Sequence, residues 1–241
     1  MDYSGLFPIV FMVAVVAIML YVHYVLAEQR RRQWRRVAAA LGCELRHSSA
    51  APWTGLLGWL FADASPVAAC PHPLFQRGHS RLAPNLMTGQ YADHALTCFD
   101  YQYTVGGGKN SHTYYFLCVV MSSRVPFRRL CVRPESAGDK VLGFLGAGDI
   151  QFESDEFNRR FHVECEQPRF AFDVLHPRAM ELLLGTQGIC LEAMDAEVLY
   201  YMSRASEGAG GLERCVRRLL QFGADFLALV PEYLTKPQDR H

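Results

Sequence analysis

The most regular feature of the hydrophobic pattern is an uncharged apolar run near the start of the chain. Residues 6–27 contain no Asp, Glu, Lys or Arg, and as a helix they would span about 33 Å, which matches a hydrocarbon core of about 30 Å. A core helix of a soluble protein is rarely apolar on every face. We therefore interpret this run as a transmembrane helix. A cleavable signal peptide, which carries its positive charge ahead of a shorter apolar core, is the alternative.

Charges on the two sides of the run predict its orientation. Asp2 is the one charged side chain in residues 1–5, whereas five arginines lie between residues 30 and 36. Arginines that flank a span are retained in the cytoplasm. We therefore predict a single-pass protein of the bacterial plasma membrane, with residues 1–5 outside and everything after residue 27 inside. The side chains expected to contact lipid headgroups are Arg30, Arg31, Arg32, Trp34, Arg35 and Arg36.

Residues 28–42 are predicted to continue the helix as a basic juxtamembrane segment. Trp34, Val37, Ala38 and Leu41 recur at helical spacing, and anionic lipid would attract the arginines between them. Nucleic acid is the alternative partner. The chain balances 24 basic against 24 acidic residues, so the part outside this segment is slightly acidic and offers no extended basic face. We predict the lipid bilayer and other membrane or cytoplasmic proteins as partners, and no nucleic acid.

Residues 43–241 are predicted to form a cytoplasmic domain that begins with loops. Residues 47–94 are rich in Pro, Gly, Ser and Ala, which indicates a loop-rich region. The apolar stretch Trp53–Phe61 within it would be a short core helix or a segment that touches lipid. From residue 95 onward, polar and apolar residues alternate on both sides of GGGKN (106–110), which predicts a hairpin with Phe99, Tyr101, Tyr103 and Val105 on one face.

The rest of the domain is predicted to mix strands with helices. A third strand at 126–135 would complete a meander, and a tight turn capped by Ser154 or Asp155 would join two further strands. A helical pair interrupted at His176–Pro177 is followed by a final pair of strands. Hydrophobic residues at helical spacing in 209–234 predict a C-terminal helix that covers the sheet.

These patterns predict the α+β class: an N-terminal transmembrane helix followed by a mostly antiparallel β domain with a covering C-terminal helix. A small closed barrel capped by that helix, similar to a pleckstrin-homology domain, is the alternative. A content of 50% hydrophobic and 12% aromatic residues indicates a packed core. The eight cysteines are dispersed without a CxxC pair, and most fall in apolar stretches, which favours reduced thiols in a reducing compartment.

Several short stretches of the chain resemble those of a group of uncharacterised bacterial proteins. The stretches are ALG (40–42), FQRGH (75–79), NLMTG (85–89), FDYQY (99–103), FNRRF (157–161) and LHP (175–177). Proteins of this group have one N-terminal membrane helix and a cytoplasmic domain of unknown function. The resemblance covers most of the chain and implies the same topology. It implies no activity and no catalytic residue.

No catalytic residue and no cofactor are predicted. The sequence contains no GxSxG or HExxH motif, and the glycines before Lys109 lack the spacing and the following helix of a phosphate loop. His162 and Glu164 imitate part of a zinc deaminase motif, but no PCxxC follows, and strand alternation would place both on the outer face of the sheet. Arg129 and Arg133 would share one strand face and are candidates for holding a phosphate or carboxylate.

A metal site is also not predicted, although one loop contains zinc-type donors. They are Cys70, His72 and His79, with Cys98 as a further donor, and their spacing matches no standard zinc site. Four such donors in tetrahedral geometry would pin the loop to the domain.

Two functional classes remain at the level of sequence. The first is a membrane-anchored cytoplasmic binding or scaffolding domain, which needs no catalytic group. The second is a membrane-associated hydrolase or transferase that acts on an anionic or lipid-derived substrate, with catalytic groups contributed from distant positions. The second class would gain support if Arg129 and Arg133 converged on one cleft with His79, Asp100 and His162.

Overall fold

The computed structural model describes residues 6–46, 70–135, 149–207 and 211–235. The helices are α1 (Leu6–Leu41), α2 (Asp155–Arg160), α3 (Pro168–Val174), α4 (Pro177–Leu184) and α5 (Gly211–Leu229). The strands are β1 (Glu44–Arg46), β2 (His79–Leu82), β3 (Leu86–Tyr91), β4 (His94–Val105), β5 (His112–Pro134), β6 (Phe161–Cys165) and β7 (Cys190–Ser203). The stretch Trp53–Phe61 lies outside the described residues.

The long strand β5 organises the antiparallel sheet. Its first part pairs with β4, joining Leu96 to Met121, and its last part pairs with β6, joining Leu130 to Cys165. The other edge of β5 pairs with β7, with an irregular register after Ser122. β3 and β2 both pair with β4, and β1 pairs with β3. Pairings among the described strands leave this sheet open, so the closed-barrel alternative does not form.

One face of the sheet packs against helices. Leu219, Leu220 and Phe226 of α5 are buried in the same cluster as Val119 of β5 and Tyr200 of β7. The stripe of α5 repeats at helical spacing, which aligns these side chains along one side of the helix. The predicted α+β class, with a mostly antiparallel sheet and a covering C-terminal helix, is confirmed.

The other face of the sheet carries a cluster rich in aromatic residues. Phe99, Tyr101 and Tyr103 of β4 are buried together, which agrees with the prediction that they share a face. They do not lie beneath α5, however. Among the described residues, the 3-10 turn Pro73–Gln76 covers them through Leu74 and Phe75. The rings of Phe75 and Tyr101 meet edge to face with centroids 4.9 Å apart.

The long helix α1 has two parts with different surroundings. Of the described helices, α1 is the one long and apolar enough to cross a membrane, and the rest of the protein buries none of its most apolar stretch. Its last turns, in contrast, belong to the core of the domain: Trp34, Val37 and Ala38 are buried in the cluster that contains α5. The helix runs without a break from one part to the other.

The structure corrects several predicted elements. β2 and β3 lie in the region that composition predicted as loops, and the third strand of the meander is the continuation of β5. Ser154 accepts a hydrogen bond from the Phe157 N–H as predicted, but it caps the short helix α2 instead of a tight turn. The two final strands are one strand, β7, in which Asp195 takes a positive φ of 52°.

Candidate functional site

The most concentrated polar contacts of the domain lie where α1 meets the sheet. Asp100 of β4 is 2% exposed and accepts hydrogen bonds from three residues. Its Oδ2 atom accepts from Arg30 Nε at 3.0 Å, Trp34 Nε1 at 2.8 Å and Asn85 Nδ2 at 3.1 Å, and its Oδ1 atom accepts from Arg30 Nη2 at 2.6 Å. We call Arg30, Trp34, Asn85, Asp100 and Glu207 the junction cluster.

Arg30 is held between two carboxylates in this cluster. Its Nη1 and Nη2 atoms donate to the carboxylate oxygens of Glu207 at 2.7 and 2.6 Å, while the other edge of the guanidinium faces Asp100. The Arg30 side chain is only 12% exposed. Arg204 adds a second positive charge, with its Nε atom 3.6 Å from Glu207 and 3.9 Å from Asp100. Two cations therefore balance two anions, as burial of charge requires.

Local structure explains how these side chains meet. Arg30 and Trp34 are separated by one helical turn, so they lie on the same side of α1. Cys98 and Asp100 alternate with the aromatic residues of β4, which directs Asp100 to the helix-covered face. Asn85 takes a positive φ of 60° just before β3, a conformation that asparagine tolerates better than most residues.

The lipid-contact prediction is wrong for two of its six residues. Trp34 is fully buried and donates to Asp100, and Arg30 is bound to Asp100 and Glu207. The sequence positions of Arg30 and Trp34 were ambiguous, because an i, i+4 spacing is found both in helices that lie at a membrane surface and in helices that pack against a core. Arg31, Arg32 and Arg35 lie within 4.0 Å of Glu28, and Arg36 is exposed. For these four arginines, headgroup contact stays a prediction.

The predicted anion pair Arg129 and Arg133 does not form an open site. Arg133 is 4% exposed, and its Nη2 atom lies 2.7 Å from Glu164 Oε1. Glu164 therefore takes the place beside Arg133 that a bound anion would occupy. His162 Nε2 lies 2.8 Å from the same Glu164 oxygen. Glu164 is thus buried, contrary to its predicted place on the outer face. Arg129 is half-buried on β5.

The five residues that would have favoured an enzyme do not share one cleft. His162 lies beside Arg133 through Glu164, whereas Asp100 lies in the junction cluster. His79 contacts the Gly106 carbonyl oxygen at 2.8 Å. A surface groove of about 530 Å³ is lined by Arg159, Arg160 and Thr186 among others, and its described lining residues include no histidine, cysteine or serine to serve as a nucleophile or base.

The structure separates the zinc-type donors into different places. Cys70 and His72 remain close to each other, and the carboxylate of Glu197 joins them. The ring nitrogens of His79 form hydrogen bonds with the Ser80 hydroxyl and the Gly106 carbonyl oxygen. Cys98 is buried on the opposite face of the sheet, in the cluster that contains α5. The structure therefore does not bring His79 and Cys98 together with Cys70 and His72.

A buried carboxylate on β7, Glu192, was missed by sequence reasoning. Glu192 is 1% exposed. It accepts hydrogen bonds from the Tyr201 hydroxyl at 3.0 Å and from the Leu74 N–H at 3.0 Å, which ties the turn Pro73–Gln76 to the sheet. Burial raises the pKa of Glu192, although these hydrogen bonds and the nearby Arg77 charge oppose the shift. The position of Glu192 between apolar residues in the sequence of β7 could have indicated that it is buried.

Comparisons with known proteins identify a fold relative. The sequence matches no protein-family model and no curated protein. The crystal structure of the mycobacterial trehalose monomycolate transport factor A, TtfA, matches with a TM-score of 0.54 and 13% sequence identity, and the match covers 83% of this chain and 96% of that chain. At this identity the likeness shows a shared fold. Together with the apolar helix α1, it agrees with the architecture that the resemblance to uncharacterised bacterial proteins implied.

Proposed function

We propose that this chain is a membrane-anchored binding or scaffolding domain of the bacterial plasma membrane, and that α1 fixes the orientation of the domain on the bilayer. The N-terminus lies outside, residues 6–27 span the membrane and the α+β domain faces the cytoplasm. One observation carries the proposal: Arg30 and Trp34, on the helix that contains the span, both bind the buried Asp100 of the sheet.

The position of this contact supports a domain that lies directly on the membrane. Arg30 follows Ala27 by three residues, which corresponds to about 4.5 Å along a helix. A flexible tether would let the domain rotate and move away from the surface. Here the helix is continuous through residue 41 and its last turns are part of the core. The same surface of the domain therefore always faces away from the bilayer.

A fixed orientation is useful for a domain that binds other membrane components. Confinement to one surface raises the effective concentration of the domain near its partners, and a fixed angle presents one face to them. The partners that we propose are the bilayer itself and membrane or cytoplasmic proteins. The fold relative is named as a transport factor for trehalose monomycolate, and we extend the proposal to membrane machinery that handles lipids as the class of partner. Among the described residues, the five that would have favoured an enzyme do not converge on one cleft, so we do not propose an enzymatic role.

The predicted topology can be tested with reporters at both ends of the full chain. A reporter that functions only in the cytoplasm should be active after His241, and a tag before Met1 should be accessible to protease on intact spheroplasts. Five arginines after the span and none before it make the opposite orientation unfavourable. An external reporter at His241, or a mature chain that begins near Glu28, would contradict the proposal.

The binding role can be tested by photo-cross-linking in intact membranes. Tyr115, Phe172 and Tyr233 are exposed aromatic positions of the domain that can each be replaced by a photoreactive amino acid in the full chain. We expect at least one position to cross-link a discrete membrane protein, while a probe at Tyr21 in the span cross-links lipid. The scaffold proposal fails if domain probes give no protein adduct at native expression levels.

A further inference from the structure

The structure brings three metal-type donors together on the aromatic side of the sheet. The Cys70 sulfur, a ring nitrogen of His72 and a carboxylate oxygen of Glu197 all lie within 4.8 Å of one another. Cys70 and His72 precede the turn Pro73–Gln76, and Glu197 lies on β7 opposite Ser122 of β5.

His72 itself indicates that a ligand belongs at this position. The residue is fully buried, yet neither ring nitrogen has a hydrogen-bond partner among the residues that the structure describes. Buried polar atoms are nearly always paired, and an exception needs a specific cause such as a bound ion.

We propose that Cys70, His72 and Glu197 form a binding site for a zinc-type divalent cation. A thiolate, an imidazole and a carboxylate suit Zn²⁺ or a similar transition metal, whereas Mg²⁺ and Ca²⁺ prefer oxygen ligands alone. Tetrahedral coordination places ligand atoms about 3.5 Å apart, and donors that already lie within 4.8 Å of one another can reach this spacing by small side-chain rotations. Three protein ligands leave the fourth position to water.

The charges and protons of this site balance. Cys70 loses its proton to solvent when the metal–sulfur bond forms, and the thiolate and the Glu197 carboxylate together neutralise the dication.

The site would cross-link the segment at 70–76 to β7. This segment is already positioned by the Leu74–Glu192 hydrogen bond and by a bond from Gln76 Nε2 to the Cys70 carbonyl oxygen at 3.2 Å. Little ordering entropy then remains to be lost on binding.

Metal binding can be tested on the purified full-length protein after treatment with a chelator. Zn²⁺ is titrated against a chromophoric competitor, and Co²⁺ is added separately to detect the thiolate charge-transfer band. We expect one ion per chain, and a decrease in affinity of at least about tenfold in the variants Cys70→Ser and Glu197→Gln. Glu197 is exposed, so Glu197→Gln should fold even if Cys70→Ser does not. Thermal unfolding of each variant without metal verifies that it is folded.

Two matched controls decide which donors hold the ion. Cys43 is another half-buried thiol, and His79 is the histidine that sequence spacing places with Cys70. The variants Cys43→Ser and His79→Ala should bind as the wild type does. The proposal is overturned if the wild type binds no stoichiometric ion, if Glu197→Gln binds with unchanged affinity, or if the Co²⁺ thiolate band survives in Cys70→Ser. This test does not depend on the proposed scaffold role.

Discussion

At the scale of single residues, Asp100 is the acceptor on which the junction cluster depends. One carboxylate serves the Arg30 guanidinium, the Trp34 indole and the Asn85 amide. Removing it would leave a nearly buried cation with Glu207 as its principal partner. It would also leave the buried Trp34 N–H and the half-buried Asn85 amide without this acceptor. Loss of one partner from a buried ion pair is more costly than the pair itself is stabilising.

We therefore expect Asp100→Ala to lower the free energy of unfolding by about 3–5 kcal/mol. Denaturant unfolding of the full chain in detergent measures the change. Asp225→Ala is the matched control, because Asp225 is exposed on α5 and accepts a hydrogen bond from Gln221, one turn earlier in the same helix. We expect it to change stability by about 0.5 kcal/mol or less. Equal effects of the two substitutions would show that the junction cluster does not stabilise the domain.

Glu192 gives a prediction with a defined pH dependence. Burial raises its pKa above 4.5 in the folded state, so the folded protein holds this proton more tightly than the unfolded chain. Stability is therefore lost as the pH rises from about 4.5 through the raised pKa. Glu192→Gln removes the charge while it keeps an acceptor for the Leu74 N–H and a donor for the Tyr201 oxygen.

We expect the free energy of unfolding of Glu192→Gln, relative to the wild type, to increase from pH 4.5 to neutral pH. Urea unfolding at several pH values measures this difference, and titrations common to both proteins cancel. Glu213→Gln, at an exposed position of α5, controls for the loss of a surface charge. A difference that decreases as the pH rises would contradict the assigned direction.

At the scale of elements, α1 has two parts with different surroundings. Its apolar first part exposes side chains on all sides, as in Ile18, Tyr21 and Leu26, whereas its last turns bury one stripe. The junction cluster marks the change between these parts. The contact requires a fixed rotation of the helix about its axis, because Arg30 and Trp34 reach Asp100 together only when they lie on the same side of the helix.

Paired insertions test this requirement. Two alanines rotate the following residues by about 200° and shift them by about 3 Å along the axis. Between Arg32 and Gln33 they would prevent Arg30 and Trp34 from reaching Asp100 together, and we expect a loss of about 3–5 kcal/mol in unfolding free energy. The same insertion between Ala27 and Glu28 lies outside the docked part and should leave stability unchanged in detergent. Equal stabilities of the two variants would rule out phase-dependent docking.

At the scale of the whole molecule, the sheet is covered on both faces by unequal layers. Helices α1 and α5 form a thick layer on one side, and the turn Pro73–Gln76 forms a thin one over the aromatic side. The thin layer depends on a few specific contacts: Glu192 accepts a hydrogen bond from the Leu74 N–H, and the rings of Phe75 and Tyr101 meet edge to face. The proposed cation site lies at the start of this layer, and a bound ion would link the segment before the turn to β7.

Patterns that need only neighbouring residues were predicted correctly. The glycines at 106–108 turn β4 into β5, with Gly106 at a positive φ of 82°. Pro177 separates α3 from α4, and the stripe of α5 covers the sheet. The description of 47–94 as loop-rich missed β2 and β3, because composition reports local preference, while the pairing of β2 and β3 with β4 depends on a strand farther along the chain.

The sequence by itself determined the apolar run, its flanking charge, the hairpin and the helical stripes, because each follows from the order of residues within one element. Only the tertiary structure decided which partners these residues meet. Arg30 and Asp100 are 70 positions apart, and Leu74 and Glu192 are 118. Periodicity can show that a side chain faces inward, but the identity of the group opposite depends on how distant elements pack. For that reason Trp34 could be assigned equally to lipid or to a carboxylate until the fold was known.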